Sequence, residues 1–135
     1  MEVRKRINSN ELLDTETDTA REKAMERAEK LFKQGKLTED LVQKAIDVND
    51  SHFTCYAISH MSGLSSEVVT KMLSSGSGKA VTSLCWKAGM TMRIAVQLQR
   101  KVAKVRPKSL LQARGGTEYP LTDDDMKWQI EFYEH

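Results

Sequence analysis

The sequence predicts an all-α protein, a short stack of antiparallel helix pairs with about seven helices. Three observations predict this fold class. The 135 residues include only two prolines and seven glycines, too few turn-forming residues for many short strands. Apolar residues recur at three- and four-residue spacing, which is typical of one helix face. The same helix-opening pattern also returns at a nearly constant interval, as it does in stacked repeats.

The helix-opening pattern is an apolar residue followed by Ser or Thr. It occurs four times, as Leu37-Thr38, Leu64-Ser65, Met90-Thr91 and Leu121-Thr122. The hydroxyl residue suits the N-cap position, because its side-chain oxygen accepts a backbone N–H that has no partner within the helix. The first three hydroxyl residues are separated by intervals of 27 and 26 residues, which leave room for two helices each.

These openings divide the chain into expected elements. We expect residues 1–14 to be a flexible leader and residues 15–135 to be a single helical-repeat domain. Its first helix is expected to start near Thr19 and to end at Gly35, a residue type favoured just after a helix. The remaining helices are expected over residues 39–48, 51–61, 66–73, 79–88, 92–105 and 123–133, with a short helical turn over 108–112.

The composition excludes several classes of protein. Charged residues make up 30% and hydrophobic residues 39%, as in a globular domain with its own core. No apolar run reaches the roughly 20 residues that cross a bilayer. The N-terminus lacks an apolar signal-peptide core, so we expect a cytoplasmic protein. We expect the only cysteines, Cys55 and Cys85, to be buried thiols rather than a disulfide.

Three stretches of the chain resemble a known family. They are residues 35–38, residues 86–93, and residues 119–122 leading into 126–132. These stretches are similar to an uncharacterised alphaproteobacterial family of HEAT-like helical-repeat proteins, catalogued as a domain of unknown function. The chain resembles its C-terminal portion. The resemblance implies a helical fold and a bacterial cytoplasm, but no activity or ligand. The helix pairs would stack as HEAT-like repeats or as a compact orthogonal bundle.

No set of residues indicates catalysis, so we expect neither an enzyme nor a cofactor. Gly76-Ser77-Gly78-Lys79 looks like a phosphate loop, but Leu73 and Ala80 stand where the nucleotide-binding pattern needs Gly and Ser or Thr. This segment is either an anion site on exposed amides or a simple loop. His52 and Cys55 share a helix face and could supply two zinc ligands. Cys85 fits an apolar stripe instead, and we expect no metal.

Charge is segregated along the chain, although the net charge is only +2. Residues 68–117 contain no Asp or Glu, whereas the following tail is mostly acidic. The candidate cationic residues are Arg93, Arg100, Lys104 and Lys108, spaced along the expected sixth helix and its end, and Arg114 in the next loop. Cations with no acid nearby fit an acidic protein, a phosphate backbone or anionic lipid. A solvated helix face, or cover by the acidic tail, are the other interpretations.

The last expected helix has two apolar faces. Met126, Ile130 and Tyr133 lie on one face, and Trp128 and Phe132 lie nearly opposite. A terminal helix normally has one dry face, so the second is covered either by Tyr119-Pro120 or by another molecule.

The sequence therefore predicts a non-catalytic interaction or scaffold module. We expect the partner to be a protein. It is either an acidic protein that binds the cationic residues or a second copy of this chain that binds through the last helix. The alternative function is binding of nucleic acid or another phosphate-bearing anion by residues 93–114. Nucleic acid ranks second, because no nucleic-acid-binding motif is present.

Overall fold

The computed structural model describes residues 2–135, with side chains described from Asp18 onward. The described residues form seven α-helices and no sheet, with 69% of the structure helical. The helices are α1 (Glu2–Lys33), α2 (Glu39–Asp47), α3 (Ser51–Ser62), α4 (Ser66–Ser74), α5 (Gly78–Lys87), α6 (Met92–Gln97) and α7 (Asp123–Glu134). The predicted all-α fold of about seven helices is confirmed.

The helices pack around α5, the innermost element. α5 contacts α3, α4, α6 and α7, while α1 packs along α3 at one side. Six consecutive residues of α5 are buried, namely Ala80, Val81, Thr82, Ser83, Leu84 and Cys85. A helix buried on every side occupies the middle of a core rather than its surface.

Helix α2, near the start of the chain of helix pairs, contacts α6, near its end, so the arrangement of helices is closed. In an extended stack each repeat contacts only its neighbours. Here α2 contacts α6, and the Thr91 backbone N–H and Oγ1 both donate to the Glu39 carboxylate, at 2.5 and 2.8 Å. The structure is therefore a compact bundle of helix pairs rather than an open solenoid.

The predicted N-caps are only partly used as caps. Ser65 and Thr122 accept the backbone N–H of Val68 and Asp125, at 3.2 and 3.1 Å. Thr38 and Thr91 stand at cap positions, but neither side chain accepts a cap hydrogen bond. The Thr91 hydroxyl instead donates to Glu39 of α2, which fixes the start of α6 against the start of α2.

The predicted helix start near Thr19 is wrong, because α1 begins at Glu2 and Thr19 lies inside it. The physical reason is that no Gly or Pro precedes Thr19, so nothing in the chain ends the helix on its N-terminal side. The predicted flexible leader, residues 1–14, falls on residues whose side chains lie outside the described part of the structure. It stays a prediction.

The sixth helix differs from the single α-helix predicted over 92–105. α6 ends at Gln97 and continues as a π-helical turn, Leu98–Val102. Lys104 then takes the left-handed conformation, with φ of 53°, and the Val105 N–H donates to the Gln99 carbonyl oxygen at 2.8 Å. A π-helical turn holds more residues than an α-helical turn, so the later side chains rotate away from the predicted face.

The segment after the π-helical turn lies against the start of α5. The Gln99 side chain is fully buried; its amide donates to the Leu111 carbonyl oxygen and accepts the Leu111 N–H, both at 2.8 Å. A β-carbon on Gly78 would overlap the Ser109 carbonyl oxygen, so close backbone approach requires glycine there. The predicted helical turn over 108–112 is a single 3-10 turn, Pro107–Ser109.

Candidate functional site

α7 presents one buried face and one exposed face. Met126 and Ile130 are buried, with 1% and 6% of their surface accessible, and Tyr133 packs against the core. Trp128 and Phe132 remain 59% and 60% exposed. Their rings stack with centroids 5.5 Å apart and planes 21° apart. The helical spacing predicted these two faces correctly, and the two aromatic side chains form one exposed pair.

Tyr119-Pro120 does not cover this pair, so the intramolecular interpretation of the aromatic face is wrong. The Tyr119 hydroxyl donates to the Met90 carbonyl oxygen, and its ring packs against the core. Burial, with a smaller effect of the Cys85 and Glu39 charges, raises the pKa of Tyr119 and keeps the phenol a donor. Because this hydrogen bond directs Tyr119 inward, the outside of α7 stays open.

Three carboxylates flank the aromatic pair, and they outnumber the two lysines that also border it, Lys79 of α5 and Lys127. Asp124 and Glu131 lie four residues before and three residues after Trp128, and Asp125 lies three residues before it. All three are exposed, and none forms an ion pair with any residue from 18 to 135. We call the set Trp128, Phe132, Asp124, Asp125 and Glu131 the α7 outer face. It combines apolar ring surface with negative charge.

The expectation that no acid lies near the cations is wrong for the α6 part of the predicted stripe. The Arg93 guanidinium lies 3.8 Å from a Glu39 oxygen and 3.9 Å from an Asp40 oxygen, both on α2. Lys101, which the stripe did not include, lies 3.6 Å from Asp47 of α2. These acids belong to α2, which packs against α6, and not to the C-terminal tail.

The remaining cations do not lie on one helix face. Arg100 lies in the π-helical turn, Lys104 follows it in the left-handed conformation, and Lys108 lies in the 3-10 turn. Together with Arg106 they are exposed and form no ion pair with any acid from residue 18 onward. We call the set Arg100, Lys104, Arg106 and Lys108 the basic turn. A solvated α-helical stripe does not describe it.

Two details limit the basic surface. Lys104 borders a shallow hollow with Asp50, but the Asp50 carboxylate caps α3 by accepting the Phe53 N–H at 3.1 Å. Arg114 stands in a separate tight turn, where its backbone N–H and carbonyl pair with Glu118 at 2.7 and 3.0 Å. Because it lies in this separate turn, Arg114 is not part of the basic turn.

A groove of about 700 Å³ lies between α1, α3 and α4. Among its lining residues are His52, Cys55 and Thr70, and the Cys55 sulfur lies 3.3 Å from the Thr70 hydroxyl oxygen. Cys85 is fully buried in α5, and among residues 18–135 no three His, Cys, Asp or Glu side chains group as metal ligands do. Sequence reasoning missed this groove, because three helices contribute its lining and no single-helix pattern reveals it.

The Gly-Lys segment forms the start of α5. The Ser77 hydroxyl accepts the Ala80 N–H at 3.2 Å, and Gly78 is buried beneath Ser109. The Ala80 amide is used by this cap, and neighbouring backbone covers Gly78. The geometry is that of a capped inner helix, and the simple-loop interpretation describes it better than the anion site.

The described residues include no helix with both the length and the apolar character needed to cross a membrane. A family model described as "Uncharacterised protein conserved in bacteria (DUF2336)" matches residues 1–121. The match ends before α7, so residues 126–132 of the third resembling stretch lie outside it. No curated protein and no solved structure matches the chain. With 121 of its 135 residues matched, the chain belongs to this family of uncharacterised bacterial proteins.

Proposed function

We propose that the protein is a non-catalytic interaction module that binds another protein through the α7 outer face. The observation that carries this proposal is the stacked pair Trp128 and Phe132, exposed on a helix whose other face is already buried. Large aromatic side chains supply much of the binding energy at protein interfaces when they become covered. Exposed to water, the same two rings have no role in the core of this chain.

The stacking also favours binding rather than incidental exposure. Each ring limits the rotation of the other, so little additional side-chain entropy is lost when a partner covers the pair. α7 is anchored from the opposite side by Met126 and Ile130, which holds the ring pair on a fixed support. A partner therefore meets a surface that is already arranged.

The finer identity of the module is part of the same proposal. The succession of helix pairs from α2 to α5 supports kinship with HEAT-like repeat proteins of alphaproteobacteria, in a closed and compact form. A cytoplasmic location goes with this proposal, as does the absence of an enzymatic role. Homodimerisation through α7 is one form that protein binding takes here.

The test places a photo-crosslinking amino acid at Phe132 in the source cell, with the same substitution at Phe32 as control. Phe32 is a half-exposed aromatic residue of α1, stacked on His60 at 4.9 Å and outside the α7 outer face. We expect a discrete crosslinked protein from position 132 and none of the same mass from position 32. No crosslink at 132, or identical products at both positions, would contradict the proposal.

A second candidate function, binding of nucleic acid or another phosphate-bearing anion, is favoured by one observation. The four cations of the basic turn stand exposed without an acid from residues 18–135 within ion-pair distance. Fluorescence polarisation with a labelled oligonucleotide tests it. Phosphate binding should weaken steeply as salt rises and should vanish in Lys104→Glu/Lys108→Glu. Equal affinity of wild type and variant would remove this candidate.

A further inference from the structure

We propose that the α7 outer face binds a second copy of this chain and that the second copy presents its basic turn. The inference rests on the proposed function, because it names the partner of that same face. It differs from a contact of α7 with α7, since two unlike surfaces meet. Each copy carries both surfaces, so each can give and receive the contact.

The chemistry of the α7 outer face selects a cationic partner. Asp124, Asp125 and Glu131 would repel an acidic surface while attracting ammonium and guanidinium groups. The Trp128 and Phe132 rings attract the same groups, because cations bind over the face of an aromatic ring. An acidic protein, which the cationic residues alone suggested, is therefore the wrong partner for this face.

The basic turn supplies that chemistry within one short stretch. Its four cations lie within residues 100–108, inside the span of 68–117 that has no Asp or Glu. α2 pairs with the neighbouring Arg93 and Lys101, whereas the four cations of the basic turn, close together in the chain, have no such partner among residues 18–135. Two of the four cations are arginines, whose planar guanidinium groups both stack on rings and pair with carboxylates.

The two surfaces of one chain do not meet each other. α7 packs on α4 and α5, and both of these helices also contact the π-helical turn. No ion pair joins α7 to the basic turn among residues 18–135. Since no ion pair joins the two surfaces within one chain, we infer that their complementary charges meet between copies.

A two-fold symmetric pair satisfies both surfaces at once. The α7 outer face of each copy then covers the basic turn of the other, and the contact is made twice. Doubling matters because a specific, stable interface buries about 1,200–2,000 Å² in total, more than two aromatic side chains provide alone. An association built on such charges weakens with salt, since salt screens exposed charges.

The experiment is a charge exchange followed by sedimentation velocity. One variant reverses the basic turn, Lys104→Glu/Lys108→Glu, and the other reverses the α7 outer face, Asp124→Lys/Glu131→Lys. Wild type should be a dimer that weakens with salt, and each variant alone should lose about 100-fold or more in dimer affinity. A mixture of the two variants should restore a one-to-one dimer, because every contact then joins opposite charges. Circular dichroism checks that both variants fold.

The matched control is Lys23→Glu/Lys30→Glu, which changes the net charge equally at exposed positions of α1. This control should dimerise as the wild type does. A monomeric wild type at millimolar concentration, or a dimer that survives both reversals, would overturn the inference. So would failure of the mixed variants to pair. If the wild type is monomeric while position 132 still crosslinks to a different protein, the proposed function stands and this inference alone fails. If position 132 contacts no protein, both fail.

Discussion

α5 and α7 are helices of similar length with opposite surroundings. α5 is packed from four sides and uses small residues such as Gly78, Ala80 and Ser83 where neighbouring elements approach closely. α7 packs on one side only and places two of its three aromatic residues, Trp128 and Phe132, in the open. The difference shows that apolar residues have separate roles here. In α5 they hold the fold together, and on the outside of α7 they stay exposed, where we propose that a partner covers them.

The largest expected effect separates these two roles. Leu84→Ala removes a fully buried side chain of α5 and should lower the free energy of unfolding by about 4 kcal/mol. Phe132→Ala removes a larger side chain from α7, yet should change the free energy of unfolding by less than about 0.5 kcal/mol, because the position is on the surface. Urea unfolding at a protein concentration low enough to keep the chain monomeric measures both, because association through α7 would add to the apparent stability. Comparable losses would mean that the α7 aromatics are part of the core.

A smaller effect is expected where α5 is approached by backbone. Gly78→Ala should cost about 2–3 kcal/mol in unfolding free energy, because the added methyl group overlaps Ser109 and the Gln99 side chain. Gly89→Ala is the matched control. Its φ of 74° strains an L residue, but nothing lies within 4 Å of the added carbon, so its cost should be about 1 kcal/mol. If the two variants lose equal stability, close approach is not what requires glycine at 78.

The dependence of stability on alkaline pH should distinguish the buried thiol of Cys85 in α5 from the half-buried thiol of Cys55. Burial, and to a smaller extent the Glu39 charge, raises the pKa of Cys85 in the folded state. Above the ordinary thiol pKa of about 8.5 the unfolded chain ionises while the folded thiol stays neutral, so stability falls as pH rises. By pH of about 9.5 the loss should be about 1 kcal/mol from this residue.

Cys85→Ala should remove the fall in unfolding free energy that Cys85 causes at alkaline pH. Cys55→Ala should leave that fall in place. Burial also raises the pKa of Cys55, but this thiol is only half-buried and its contact with Thr70 opposes the shift. Chemical denaturation at several pH values gives the slopes. A Cys85→Ala variant with the wild-type pH dependence would show that another group, such as Tyr119, is responsible.

The smallest expected effect is a gain. Lys104 holds a left-handed conformation that favours glycine, so Lys104→Gly should raise the free energy of unfolding by about 0.5 kcal/mol. Lys108→Gly, in the 3-10 turn, removes the same charge without relieving a positive φ and should give no gain. Thermal melts of the two variants compare charge with backbone strain. A loss of stability in Lys104→Gly would mean that the lysine side chain itself supports the fold.

The sequence predicted the features that depend on neighbouring residues. Helices α2 to α5 and α7 fall within about two residues of their predicted bounds. The two faces of α7 followed from spacing alone, because one helix defines both. The candidate aromatic pair therefore needed no tertiary information, whereas its status as an interface is a proposal.

The features that the sequence did not predict depend on residues far apart in the chain. Glu39 and Asp47 neutralise cations more than fifty residues away, which no local charge count can show. Gln99 falls on the buried face of the sixth helix with Ala95 and Leu98, but its partner Leu111 comes from the segment after the π-helical turn, which no pattern within the helix reveals. Arg100 and Lys104 were expected on one face of a single α-helix, because nothing in the local pattern indicated the π-helical turn.

The paired hydrogen bonds between Gln99 and Leu111 have a consequence for solvent exchange. The Gln99 side-chain amide donates to the carbonyl oxygen of Leu111 and accepts its N–H, the same pair of hydrogen bonds that a residue of an adjacent β-strand would make. Leu111 lies in no helix, yet its amide proton is enclosed by a buried partner. Its deuterium uptake should follow the rate at which the α5–α6 core opens, while amides at the surface of the same segment exchange quickly.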